Sequence, residues 1–259
     1  MTAATVVHHC AHASAYTVAA WSRELPVMEA AVLEVAGELG ATVVFPESLY
    51  AFDLSGVVTE ATPIVATTGK PGVRAQLLAA RAAAAAPTIS VVASDYFGPG
   101  SGPNAHAGDR VLQPVLAGRT VRPLGSLDQP HSWTYLPDLA AAMIAAAELP
   151  TAPDRLLFAP TGPARTQREV VAAYAAAAGR PVPRIAPLPT WLLRALGVVN
   201  PGIAGLVEMI GLLTEPLVMD SRASEQILGI APTPWEDAIR HTVRDSIRHT
   251  VPAVPGWDR

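Results

Sequence analysis

Cysteine is nearly absent from this 259-residue chain. The one thiol, Cys10, rules out an intramolecular disulfide and matches a chain kept in a reducing, cytoplasmic compartment. Charge is also scarce. Eighteen Lys and Arg stand against 22 Asp and Glu, a net charge of −4, and no basic patch stands out. Nucleic acid is therefore not an expected partner. A long apolar run is missing too. The most apolar region, 188–213, is interrupted by Arg194, Asn200 and Pro201, and its pieces fall short of the ~20 residues a bilayer span needs. The opening MTAATVVHHCAHAS has neither a basic segment nor an apolar stretch, so no signal peptide is expected. Membrane association is excluded on the same grounds.

What is present is an Ala-rich chain, half hydrophobic, which suits a globular α/β protein with a large core. Short β-branched runs alternate with helical segments. Strands are expected at Val6–Cys10, Thr42–Phe45, Thr88–Ala93 and Arg155–Ala159, the first three adjacent and parallel with helices between them. Helices are expected at 24–39, with Val27, Ala31, Val35 and Leu39 on one side, and at 73–86 and 109–116. Asp138 is expected to cap a further helix over 139–148. Thr166 and Glu169 form a capping-box pattern ahead of a helix over 170–178, and a last helix is expected over 232–243.

The stretch from Thr42 to Arg74 carries the densest chemistry. Ser48 follows the second strand at its carboxyl edge, where open α/β sheets build sites. It either orients a substrate hydroxyl or carbonyl, or caps loop backbone. Lys70 and Arg74 stand four apart, on one helix face. Lys70 reads as a charged residue at a helix start, solvated or phosphate-binding. Arg74 keeps its proton under ordinary conditions and cannot shuttle one, but can hold a phosphate or ribose. His8, His9, Cys10 and His12 invite a metal reading. On a strand His8 and Cys10 share a face while His9 points away, and no second ligand cluster has suitable spacing, so no metal is expected. Tyr50, Tyr96, Trp133 and Tyr135 either line a substrate cleft or fill the core.

Several segments resemble the extended and atypical short-chain dehydrogenase/reductases, the NAD-dependent epimerases and dehydratases. Ser48-Leu49-Tyr50-Ala51-Phe52-Asp53 is similar to the family's S-x-x-x-Y-G, and Glu60-Ala61-Thr62-Pro63 to its E-x-x-P. Lys70-Pro71-Gly72-Val73-Arg74 falls on the Y-G-x-S-K segment, so the catalytic Tyr position holds Lys70 and the Lys position Arg74. Val6-Val7-His8-His9-Cys10-Ala11 resembles the V-V-H-x-A-A strand that lines the cofactor, the family's fourth. Asp95-Tyr96-Phe97-Gly98-Pro99-Gly100 resembles its Y-G-P-G turn, and 131–138 its short strand ending in Asp.

The resemblance implies a Rossmann-like α/β parallel sheet over 1–160 and a smaller, mostly helical substrate region over 161–259. It implies NAD or NADP as cofactor, with His8, Cys10, Ala11, Asp95 and Tyr96 on the cofactor side. Ser48, Lys70 and Arg74 would stand at the reacting centre, and Tyr50, Trp133 and Tyr135 beside a small or sugar-like substrate. The family's G-x-G-x-x-G turn has no counterpart ahead of Val6, and Gly98-Pro99-Gly100-Ser101-Gly102 reads as a loop. The chain thus reads as the fold without its first two βα units, through a late start, a truncation or loss of cofactor binding. The first strand's apolar edge, with Val6, Val7 and Cys10, would be uncovered unless residues 1–5 or a C-terminal segment fold over it, and homo-oligomerisation is expected there. Two functions stand open: an NAD(P)-dependent epimerase/dehydratase-like oxidoreductase, and a non-catalytic small-molecule or dinucleotide sensor on the same fold. A truncated, inactive product is a third possibility.

Overall fold

The computed structural model describes residues 5–103, 105–150 and 154–250. Its elements run, in order, β1 (Val6–His8), α1 (Val18–Leu39), β2 (Thr42–Ser48), a 3-10 turn (Leu49–Ala51), α2 (Gly69–Ala82), β3 (Thr88–Ala93), β4 (Asp95–Phe97), α3 (Asp109–Leu116), β5 (Trp133–Tyr135), α4 (Leu136–Ala147) and β6 (Asp154–Phe158). The rest is helical: α5 (Gln167–Ala177), α6 (Thr190–Gly197), α7 (Pro201–Glu208), α8 (Ile210–Thr214), α9 (Arg222–Leu228) and α10 (Trp235–Thr250). No helix among the described residues is long and apolar enough to cross a membrane.

The main sheet has the order β1-β2-β3-β6 and every pairing is parallel. The three adjacent parallel strands expected from the sequence are thus found. Side-chain alternation along β2 feeds both faces: Val43 and Phe45 pack with Leu33 and Ala36 of α1, while Val44 packs with Leu139, Ala142 and Met143 of α4. Parallel strands covered on both faces read as continuous apolar runs, and β3 is buried along its whole length. A second, two-stranded parallel sheet joins β4 to β5. Its core residues Phe97, Trp133 and Tyr135 pack with Val170 and Tyr174 of α5 and Ile239 and Val243 of α10. Among the described residues, no strand pairs with the outer side of β1. Of the segment expected to cover that edge, residues 1–4 lie outside the described residues.

Three local expectations are corrected. Helix α1 starts at Val18, where Thr17 Oγ1 accepts from Ala20 N, and its buried stripe is Trp21, Leu25, Glu29, Leu33 and Ala36. Val27, Ala31, Val35 and Leu39 face solvent instead. The apolar count picked the wrong stripe because the true one contains a charged residue. Glu29 is buried because Arg81 binds both of its carboxylate oxygens, at 2.7 and 2.8 Å. Helix α2 starts at Gly69, so Lys70 and Arg74 lie in its first turns, both buried. Asp138 is not the cap of α4 but sits in its first turn. Its carboxylate accepts from Thr233 N at 2.8 Å and Thr233 Oγ1 at 2.6 Å, tying the approach to α10 onto the sheet layer. The capping box at Thr166 and Glu169 is formed as expected.

Candidate functional site

The carboxyl ends of β1 and β2 and the start of α2 converge on one cluster. Lys70, the only lysine in the chain, is wholly buried. Its Nζ donates to Glu208 Oε2 at 2.5 Å and to Gly205 O at 2.6 Å, both on α7. It lies 4.4 Å from the centroid of the Tyr16 ring, a cation–π distance. Glu208 Oε1 also accepts from Lys70 N at 2.7 Å. This clamp needs Gly69, whose φ is +64° and where a Cβ would stand 2.1 Å from Glu208 Oε1. A helix of the C-terminal region is thereby closed onto Lys70.

One turn further on, Arg74 lies over the Trp21 ring at 4.8 Å and meets His12 Nε2 at 2.9 Å. Its Nε is 3.4 Å from Glu47 Oε1 without a directed hydrogen bond. Ser48 Oγ donates to the same Glu47 oxygen at 3.3 Å, so Ser48 and Arg74 are joined through Glu47. Tyr50 stacks on Trp21, and its hydroxyl is 3.0 Å from that of Tyr16. Burial raises the phenol of Tyr50 well above its ordinary value and that of Tyr16 less so. Neither phenol is primed to lose a proton. Trp21 Nε1, Arg74 Nε and His9 Nε2 are buried without hydrogen-bond partners among the described residues.

The fold thus joins Ser48, Tyr50, Lys70 and Arg74 in one cluster. His8 closes β1 and is exposed, and Cys10 and Ala11 are exposed past its end. Trp133 and Tyr135 do not stand beside Tyr50. They pack in the core with Phe97 and α10, and Trp133 Nε1 donates to Arg165 O. All three residues of β5 are buried, the continuous pattern of a covered strand. Sequence reasoning missed Tyr16, Trp21, Glu47 and Glu208. Glu208 is 138 residues from its partner, a separation that no local spacing reveals.

Asp95 opens β4 and Tyr96 follows it, half-buried. Asp95 Oδ2 lies 2.8 Å from His131 Nδ1 and 3.0 Å from His106 Nδ1. Burial alone would push its carboxyl up, but the two imidazoles more than offset this and hold it well below the usual carboxylate range. Its charge in turn contributes to raising Tyr16, Tyr50 and Tyr96, so the two clusters are electrostatic neighbours. The donor atoms of Asp95, His106 and His131 all lie within 4.8 Å of one another, a ligand set that linear spacing does not display.

A dinucleotide's pyrophosphate binds where a Gly-rich turn exposes amides at a helix N-terminus. Between β1 and α1 there is no glycine, and Thr17 occupies an amide of α1's first turn. The described residues do not fit a pyrophosphate at this junction.

An open parallel sheet with helices on both faces, and a polar cluster at its strands' carboxyl ends, defines a Rossmann-like α/β protein. The sequence model described as "NAD dependent epimerase/dehydratase family" matches residues 2–156, and the chain belongs to that family. A search of curated protein sequences gave no match. Among solved structures, MoeE5 in complex with UDP-glucose and NAD is similar at 20% identity, with 95% of this chain and 80% of that chain covered and a TM-score of 0.72. The UDP-glucose 4-epimerase of Thermotoga maritima with UDP-glucose is similar at 15% identity, covering 95% and 78%, TM-score 0.72. That of Thermus thermophilus in complex with NAD is similar at 22%, covering 96% and 79%, TM-score 0.66. These likenesses are likenesses of fold.

Proposed function

We propose that this chain binds a sugar-nucleotide-like small molecule at the carboxyl ends of β1 and β2, beneath α7, as an epimerase/dehydratase-type protein. The observation that carries this is the buried, unpartnered donor Trp21 Nε1 under Arg74, whose Nε meets Glu47 at 3.4 Å without a directed hydrogen bond, beside the Lys70 clamp. A buried donor without an acceptor costs about 1–3 kcal/mol, and sugar hydroxyls and phosphates are rich in acceptors. Ser48 and Tyr50 contribute further hydroxyls to the same cluster, and the ligands named for the structural neighbours are of this class. The division into a sheet core over 1–160 and a substrate region over 161–259 belongs to this reading, with α7 as the part of the latter that meets the ligand.

A second reading is an NAD(P)-dependent oxidoreductase of the family's kind, with His8, Cys10, Ala11, Asp95 and Tyr96 on the cofactor side. Family membership and the retained Ser48 favour it. Against it, Lys70 stands at the Tyr position paired to a carboxylate, and the β1–α1 junction offers no pyrophosphate cradle.

Calorimetric titration with UDP-glucose and with NAD separates these readings. Binding of UDP-glucose that weakens at least tenfold in R74Q, about 1.4 kcal/mol or more, with NAD binding weak or absent, is the expected result. No heat with UDP-glucose would overturn the proposal. Tight NAD binding, with NADH absorbance appearing on addition of UDP-glucose, would establish the second reading instead.

A further inference from the structure

We propose that Asp95, His106 and His131 form a binding site for one divalent transition-metal ion, with zinc the best match. The three residues come from separate places: the start of β4, the loop between β4 and α3, and the residue two before β5. The fold turns Oδ2 of Asp95 and both Nδ1 atoms toward one point.

The hydrogen bonds on the far side of each ring carry the argument. His106 Nε2 lies 3.2 Å from Leu124 O, and His131 Nε2 lies 3.1 Å from Glu215 O. A carbonyl oxygen only accepts, so each Nε2 bears the proton. A neutral ring with its proton there presents a bare lone pair at Nδ1. Both lone pairs then face a carboxylate oxygen, itself an acceptor, in a buried place: the His131 side chain is 0% exposed, that of His106 7% and that of Asp95 15%. Two imidazole lone pairs against one carboxylate oxygen, all three atoms within 4.8 Å of one another, need positive charge among them. Two extra protons would supply it by making both rings cationic, with centroids only 5.6 Å apart and one carboxylate between them. One dication supplies it as a single species bonded to all three donors.

The chemistry of the donors agrees. Two imidazole nitrogens and a carboxylate oxygen are the ligand types of zinc sites. A metal-bound histidine almost always donates its other N–H to a carbonyl or carboxylate, as both rings do here. Donors of a tetrahedral zinc ion stand about 3.3 Å apart for bonds of about 2.0 Å. The two distances to Asp95 Oδ2, 2.8 and 3.0 Å, reach that separation with outward shifts of a few tenths of an ångström, and the third, between the two Nδ1 atoms, is no more than 4.8 Å. Three protein ligands leave one position for water or a ligand oxygen. An ion there would also replace the negative field of Asp95 at Tyr16, Tyr50 and Tyr96 with a positive one.

Cobalt(II) is the probe. Chelator-stripped protein titrated with Co²⁺ is expected to take up one equivalent with the visible ligand-field bands of a four-coordinate ion, discharged by Zn²⁺. H106Q, H131Q and D95N are each expected to lose the bands and bind at least about tenfold more weakly. A variant carrying H8Q, C10S and H12Q should bind as the parent does, since those residues are the other plausible ligands. Far-UV circular dichroism checks each variant's fold. If H131Q, at the most buried position, fails to fold, H106Q and D95N decide. No visible bands in the parent protein, binding unchanged by H106Q and D95N, or binding abolished in the H8Q/C10S/H12Q variant would each overturn the proposal.

Discussion

Replacing Arg81 with methionine removes the cation that joins α1, α2 and β2. The guanidinium is 1% exposed and makes four directed contacts: two to Glu29 at 2.7 and 2.8 Å, one to Glu47 at 2.8 Å and one to Ser90 Oγ at 3.0 Å. Methionine keeps much of the side chain's length against Phe45, so the loss is mainly electrostatic. Glu47 keeps the Ser48 amide at 2.7 Å and the neighbouring Arg74. Glu29, 4% exposed, is left a buried carboxylate with no directed partner. Removing one member of a buried pair costs about 3–5 kcal/mol, a large part of a typical stability of roughly 5–15 kcal/mol. In a chain of this length that lowers the melting temperature by roughly 6–20 °C, read by calorimetry or circular dichroism. The deficit should shrink at acid pH, where protonation neutralises the stranded carboxylate. The double variant R81M/E29L should recover most of the loss, because an apolar pair of similar volume often matches a buried ion pair. A melting shift under about 2 °C for R81M, or a double variant less stable than the single one, would refute the reasoning.

Gly69→Ala should destabilise by more than about 1 kcal/mol, because φ is +64° and the added methyl displaces Glu208; denaturant titration reads this, and an unchanged midpoint would refute the clamp. His9 and His12 both titrate below their ordinary value, first through burial and, for His12, then through Arg74. Their folded-state values are depressed, so the unfolded chain binds more protons below pH ~6.5 and stability falls as pH drops through that region. A pH series of melting temperatures should show the fall, flattened in H9Q/H12Q; an identical slope in that variant would contradict it. The outer edge of β1 should drive association, seen as a multi-angle scattering mass above that of one chain, and replacing Val7 with lysine should reduce it; a monomer in both cases would show that the edge is already protected.

The frame of this protein was legible because parallel, doubly covered strands write themselves as unbroken β-branched runs, as in 88–93, and because capping chemistry is local, as at Thr166. The site was legible where its residues sit close in sequence, Ser48 and Tyr50 at one strand end and Lys70 and Arg74 on one helix face. It was hidden where charge is buried by a distant partner. Glu29 disguised the inner face of α1. Glu208 reaches Lys70 across 138 residues, and the two histidines beside Asp95 come from loops that only the second sheet brings together. Trp133 and Tyr135, set in a family motif, lie in the core of the second sheet, apart from Tyr50.

The burial of Lys70 has a practical meaning for anyone handling the protein. Since it is the chain's only lysine, the folded surface offers acylating reagents no side-chain amine, and labelling at neutral pH should stop at the N-terminal amine. A second acyl group can attach only when α7 lifts away from α2. The rate of that second addition, followed by intact mass, is therefore a built-in clock for opening of the C-terminal region, readable without a mutation, a fluorophore or a known ligand.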